Sequence, residues 1–237
     1  MAGILKYSLL KRTFAPSHLN TPKKHNAFNM TDKKIFIAFE GIDGSGKSTQ
    51  VRLLADYLEA QGKKVHVTFE PTNRPIGKMI RDIFNHKMEA DDRTIAGLFV
   101  ADRLDHILNK DDGLIKMLNE GYIVITDRYY LSSYAYHGTH MPMDWVIASN
   151  SLSADLLRPD ITFYIDMPVE LSMERLKQNR KTIELYETYE NLKNVSEKYK
   201  EAIAKVSNTE NIFTVKGDQA INDISLIIRD QVGAMLK

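Results

Sequence analysis

Residues 35–50 read IFIAFEGIDGSGKSTQ, and this stretch decides the fold. The apolar run from Ile35 to Phe39 suits a buried strand. A glycine-rich turn follows, and then Val51, Leu54, Ala55 and Leu58 recur at helical spacing. Inside lies Gly41-x-x-x-x-Gly46-Lys47-Ser48, the phosphate-loop pattern in its required strand–turn–helix setting. Each residue type has a physical role. Gly41, Gly44 and Gly46 permit positive φ, which turns successive amide N–H groups toward one point. The following helix adds its positive end. Lys47 offers a mobile cation for phosphates, and Ser48 a hydroxyl for Mg²⁺. Gly41, Ile42, Asp43, Gly44, Ser45, Gly46, Lys47, Ser48 and Thr49 are therefore expected to cradle nucleotide phosphates. The plain alternative, a strand-to-helix turn with a chance lysine, does not account for the setting.

Outward from this loop the chain alternates strand and helix. Short apolar or β-branched runs at 34–40, 64–70, 122–127, 161–166 and 211–215 are separated by helix-length segments. This pattern predicts an α/β fold, a five-stranded parallel sheet covered on both faces by helices joined by right-handed crossovers. Ligands in such sheets sit beyond the carboxyl ends of the strands. Asp43 to Ser48, Glu70-Pro71-Thr72 and Asp127-Arg128-Tyr129 all fall there. Residues 219–236 carry Ile221, Ile224, Ile228, Val232 and Met235 on one stripe, a core-facing helix. Asp127 ends an apolar strand and is read as a partner for Mg²⁺, with a helix-capping role as the alternative. Arg128 beside it can grip a phosphate in two-pronged fashion, which lysine cannot, unless it forms only a surface ion pair.

Composition bounds the rest. The chain has 237 residues, 43% hydrophobic and 27% charged, which suits one domain with a proper core. No apolar run approaches the ~18 residues of a membrane span. Cysteine is absent, so disulfides and thiolate metal sites are excluded. Residues 1–29 hold five Lys or Arg and no acid, which leaves 27 basic against 31 acidic residues in the remainder. A slightly acidic body argues against nucleic-acid binding. Residues 1–29 lack a clear period and are expected to lie outside the fold, the domain being 30–237. They read as a leader dispensable for activity or as an organellar targeting peptide. The expected location is cytoplasmic in the first case and mitochondrial in the second.

Six stretches in order, FEGIDGSGKSTQ (39–50), FEPTNRPIGKMIR (69–81), LFVADR (98–103), DRYYLSSYAYHG (127–138), RPDITFYID (158–166) and VKGD (215–218), resemble the thymidylate kinase family of P-loop nucleoside monophosphate kinases. The resemblance spans residues 34–237. It implies transfer of the ATP γ-phosphoryl group to dTMP with Mg²⁺, and a homodimer. It also implies roles. Phe99 stacks on thymine and Arg103, on the same helix face at i+4, hydrogen-bonds its edge. Ser133 lies near the pyrimidine N3 edge, and Tyr136 presses on the sugar. Asp43 contacts the sugar hydroxyl and metal region, while Glu70 and Arg128 frame the monophosphate.

Some members of that family carry a mobile arginine inside the phosphate loop. This chain has Gly44 there, so it resembles the type that draws basic residues from a flexible lid. The lid is expected at about 174–188, with Arg175, Lys177, Arg180 and Lys181 as candidates and Arg180 as the catalytic choice beside Lys47, Arg128 and Asp43. A solvated basic helix face is the alternative for these residues. Two positions depart from the family pattern: Leu185 in the lid and Phe69 before Glu70. Each removes a potential phosphate contact, which Arg180 and Arg74 could replace. Two rival functions follow. One is a kinase for another deoxynucleotide or nucleoside. The other is a nucleotide-dependent switch.

Overall fold

The computed structural model describes residues 34–179 and 188–237. In chain order the elements are β1 (Phe36–Glu40), α1 (Lys47–Ala60), β2 (Val65–Phe69), α2 (Pro75–Phe84), α3 (Asp92–Leu108), α4 (Leu114–Asn119), β3 (Ile123–Asp127), α5 (Tyr130–His137), α6 (Met143–Ser149), α7 (Ser151–Leu156), β4 (Ile161–Asp166), α8 (Val169–Asn179), α9 (Tyr189–Val206), β5 (Ile212–Lys216) and α10 (Ile221–Leu236). The five strands form one sheet in the order β2-β3-β1-β4-β5, parallel throughout. The expected strands are all present, their ends shifted by at most two residues.

β1 is central and wholly buried, which is why it reads as a continuous apolar run rather than an alternating one. Its side chains still divide by parity. Ile37 and Phe39 pack with Leu54 and Leu58 of α1 and with Ile228 and Val232 of α10. Phe36 and Ala38 face the opposite core, with Tyr134 of α5 and Tyr199 of α9. Helices thus cover both faces of the sheet at its centre.

Register then sets the site. Phe39 pairs with Asp127, and Asp127 with Phe69. β1, β3 and β2 therefore end side by side, and the residues after them, Gly41, Arg128 and Glu70, emerge along one rim. The Glu70–Pro71 peptide is cis. The described residues belong to one compact unit. Of the expected lid, Glu174 to Asn179 continue α8 and Thr188 caps α9 by accepting from the Asn191 amide. Arg180, Lys181 and Leu185 lie outside the described residues, as do residues 1–29.

Candidate active site

Gly46 caps α1 at φ 95°, a left-handed conformation open to glycine at little cost. Gly44, at φ +76°, is closed in by α8: a Cβ there would lie 2.8 Å from the Ser172 carbonyl. A side chain at 44 would require this packing to shift. The Ser172 hydroxyl donates to the Asp43 carbonyl and ties α8 to the loop.

Lys47 curls back over the loop and donates to the Ile42 carbonyl at 2.9 Å. Burial, then the Arg128 charge, brings its pKa down to about 8 against the pull of Asp127, Asp43 and Glu40. Ser48 donates to Asp127 Oδ2 at 2.5 Å, while Asp127 Oδ1 is buried with no hydrogen-bond partner among the described residues. Asp127 does not cap α5. A hydroxyl and a carboxylate with an orphaned oxygen form the oxygen-donor set a hard divalent cation takes, so these residues fit Mg²⁺.

Arg128 is the junction. Its φ is +74°, a strained region for a residue with a side chain, and such outliers concentrate at functional sites. Its Nη2 donates to Asp43 Oδ1 at 2.6 Å and to the Tyr136 hydroxyl at 3.3 Å; Nη1 donates to Ser132 Oγ at 3.0 Å and to the Gly41 carbonyl at 3.3 Å. Tyr136 in turn donates to Asp43 Oδ2 at 2.7 Å. Burial would raise the Asp43 carboxyl, but Arg128 and Lys47 outweigh it and hold it down to about 2. One guanidinium thus joins the phosphate loop, the β3 tip and α5.

A second cluster sits beside the first. Arg103 is 1% exposed and clasps Glu70 with Nε and Nη2, at 2.8 and 2.7 Å. Its Nη1 donates to Asn150 and its Nη2 also to Ser133 Oγ at 3.0 Å. His106 Nδ1 lies 3.1 Å from the other Glu70 oxygen. One residue back, Asp102 accepts from the Thr72 amide and hydroxyl at 2.7 and 2.6 Å. α3 therefore grips the loop after β2 through Asp102, Arg103 and His106. Phe99, half-buried on the same helix, lies between Phe84 and His137, at ring separations of 6.0 and 5.2 Å.

A cleft of about 1040 Å³ runs over the phosphate loop, lined by Asp43 to Arg52, Glu70, Asp127, Arg128 and Arg175 and extending to Val67 and Phe69. It gathers the phosphate-binding candidates. Phe99, Arg103, Ser133 and Tyr136 are not among its lining residues; Arg103 and Ser133 stand behind Glu70, and Tyr136 behind Asp43. Ile42 is core and contributes its carbonyl. Arg74 pairs with Asp105 and Asp112.

The sequence of residues 39–228 matches the model of the family described as thymidylate kinase. A thymidylate kinase of Sulfurihydrogenibium sp. (strain YO3AOP1) is 38% identical over 204 residues, covering 83% of this chain and 96% of the relative. One of Thermosipho africanus is 36% identical, covering 84% and 97%, and a probable thymidylate kinase of Caldivirga maquilingensis is 36% identical, covering 86% and 97%. The chain belongs to the thymidylate kinase family. Read as a thymidylate kinase fold, the site has supports that single motifs did not reveal. Glu40, Asp102, His106, Ser132, Asn150 and Tyr199 were not singled out from sequence. Glu40 lay in plain view, a carboxylate ending a strand otherwise wholly apolar. Asn150 and Tyr199 gave no local signal.

Proposed function

We propose that this chain transfers the γ-phosphoryl group of ATP to dTMP, giving dTDP and ADP. Donor phosphates lie in the amide cradle of Asp43 to Thr49, with Lys47 swinging from the Ile42 carbonyl to the β- and γ-oxygens. Ser48 and Asp127 would hold Mg²⁺, which when bound would neutralise charge on the donor phosphates. A dTMP phosphate oxygen attacks the γ-phosphorus as the bond to the β,γ-bridging oxygen breaks. Both reactants are anions, so catalysis is a matter of alignment and positive charge rather than a strong general base.

Arg128 carries the reading. It stands between the donor loop and the acceptor helix, with Nη2 on Asp43 and Tyr136, partners an incoming phosphate can displace. The acceptor base is assigned to Phe99, with Arg103 and Ser133 at its edge, Tyr136 against the sugar, and Glu70 and Arg128 about the monophosphate. Arg180 is assigned the transition-state charge; a mobile arginine of this kind is worth ~10³–10⁵ in rate, about 4–7 kcal/mol.

The test is ADP release with dTMP, dUMP, dCMP and dGMP as acceptors. dTMP is expected to give the highest kcat/KM. A higher value for dCMP or dGMP would move the chain to another nucleotide, and ATP binding with no turnover on any acceptor would make it a switch.

A homodimer is part of the proposal. Exposed Leu108, Trp145, Leu152 and Leu156 lie on α3, α6 and α7, helices that pack on one another and leave an apolar surface for a second copy. Among the described residues no helix is long and apolar enough to cross a membrane. A cytoplasmic location goes with this reading, with residues 1–29 as a dispensable leader before a domain at 30–237.

A further inference from the structure

A buried polar network ties α9 to the phosphate end. Glu40, 0% exposed at the tip of β1, accepts from the Tyr129 and Ser132 amides at 2.8 and 3.1 Å and from Ser132 Oγ at 2.5 Å. It thereby caps the start of α5 from a remote strand, since no side chain of α5's own does so. The Tyr199 hydroxyl, from the middle of α9, lies 2.8 Å from Ser132 Oγ, 3.0 Å from Glu40 Oε2 and 3.3 Å from the Gly41 carbonyl. Ser132 Oγ and the Gly41 carbonyl are also the two groups that accept from Arg128 Nη1. Both anchors of that nitrogen therefore touch one phenol.

We propose that Tyr199 is a positioning residue for phosphoryl transfer: packed behind Ser132 and Gly41, with its one hydroxyl proton shared among Ser132, Glu40 and the Gly41 carbonyl, it sets the direction in which Arg128 meets the acceptor phosphate. The proposal rests on the dTMP kinase reading. The division of labour within Arg128 supports it. Nη2 holds the exchangeable partners, Asp43 at the cleft and Tyr136 behind it, whereas Nη1 holds the partners that Tyr199 touches in the interior. If the interior end slackens, the cleft end loses its aim, and small errors of placement cost much in a reaction that depends on alignment. The Tyr199 ring has a separate structural task. It packs on Tyr164 at 5.1 Å and on the edge of Tyr136 at 6.3 Å, so removal of the hydroxyl alone leaves the packing in place.

The experiment compares the parent chain, Tyr199→Phe, Ser132→Ala and the double variant, reading kcat, KM for dTMP and ATP, and melting temperature. Expected for Tyr199→Phe is a loss of tenfold or more in kcat with KM for ATP within twofold. The double variant is expected to lose no more than the worse single one, since both act through the same anchor. A folded Tyr199→Phe with kcat within twofold of the parent overturns the proposal, as does multiplication of the two losses. If Tyr199→Phe does not fold, Ser132→Ala carries the test, and unchanged kcat there overturns it equally. A parent chain inactive on dTMP sinks the proposed function itself. An active parent with an equally active Tyr199→Phe sinks only the role of Tyr199.

Discussion

The phosphate end and the base end of this site are built in opposite ways. At the phosphate end Lys47, Asp43 and Arg128 face the cleft, and each has a replaceable partner: a carbonyl, a guanidinium, a phenol. At the base end Arg103, Ser133 and Asn150 are sealed in the interior, and Arg103 binds the other two and Glu70, which itself edges the cleft. The difference teaches where stability and turnover reside. Cleft cations await a ligand, so their removal is felt in rate. The buried guanidinium is part of the fold, so its removal is felt first in stability.

Lys47→Ala is the harshest break at the phosphate end. A kcat loss of about 10³-fold is expected, at the upper side of what one missing charge-stabilising donor costs. Its melting temperature should hold or rise, because Lys47 is buried beside Arg128 and strained toward neutrality. A large drop in melting temperature would erase the contrast between the ends. Arg180→Ala should follow with at least about a hundredfold loss in kcat and nearly unchanged nucleotide affinity; a variant within threefold of the parent removes Arg180 from the mechanism.

At the base end Arg103→Met strands Glu70 as a buried carboxylate. Loss of one partner of such a pair costs about 3–5 kcal/mol, and a domain of this size shifts by roughly 2–4 °C per kcal/mol. Calorimetry is therefore expected to show a fall of about 10 °C, partly recovered when Glu70→Met is added. No fall in the single variant would mean that Arg103 is free to leave Glu70 and belongs with the cleft cations.

The smallest effect concerns acid. Burial, then Arg103 and His140, brings His137 down to about 3 from its usual 6.5. Between those values the unfolded chain binds a proton that the folded chain refuses, so stability falls as pH drops from about 6.5 toward 3. Asp43, held near 2, adds its own loss only below about 3.8. Urea midpoints at pH 7 and 4.5 should thus differ more in the parent than in His137→Gln; equal differences would show that His137 takes up its proton in place.

The two ends also differed in how far the sequence revealed them. The phosphate end was legible because its geometry demands particular residues close together: glycines for positive φ at 44 and 46, a lysine at 47, a carboxylate closing an apolar strand at 127. Glu70, Arg103 and Ser133 were legible as single positions through family resemblance, but their mutual bonding was not, because they come from separate segments. Asn150 and Tyr199 came last for the same reason. A polar residue inside a helix looks like any other until the fold places a carboxylate or guanidinium against it. The stripe on α10 gave one layer directly, since it is periodic and local: Ile224, Ile228 and Val232 are buried as read, whereas Ile221 at its head is 53% exposed and lines the cleft instead of the core.

The central claim is that donor phosphates and a pyrimidine monophosphate meet at Arg128, with the base carried on the Phe99 side of the sheet. A crystal structure of the chain with dTMP tests this most directly. The expected complex has thymine against Phe99 with its edge toward Arg103 and Ser133, the sugar at Tyr136 and the phosphate at Arg128. Thymine lying instead in the cleft along α1 beside Val67 and Phe69, with Phe99 uncontacted, would contradict it.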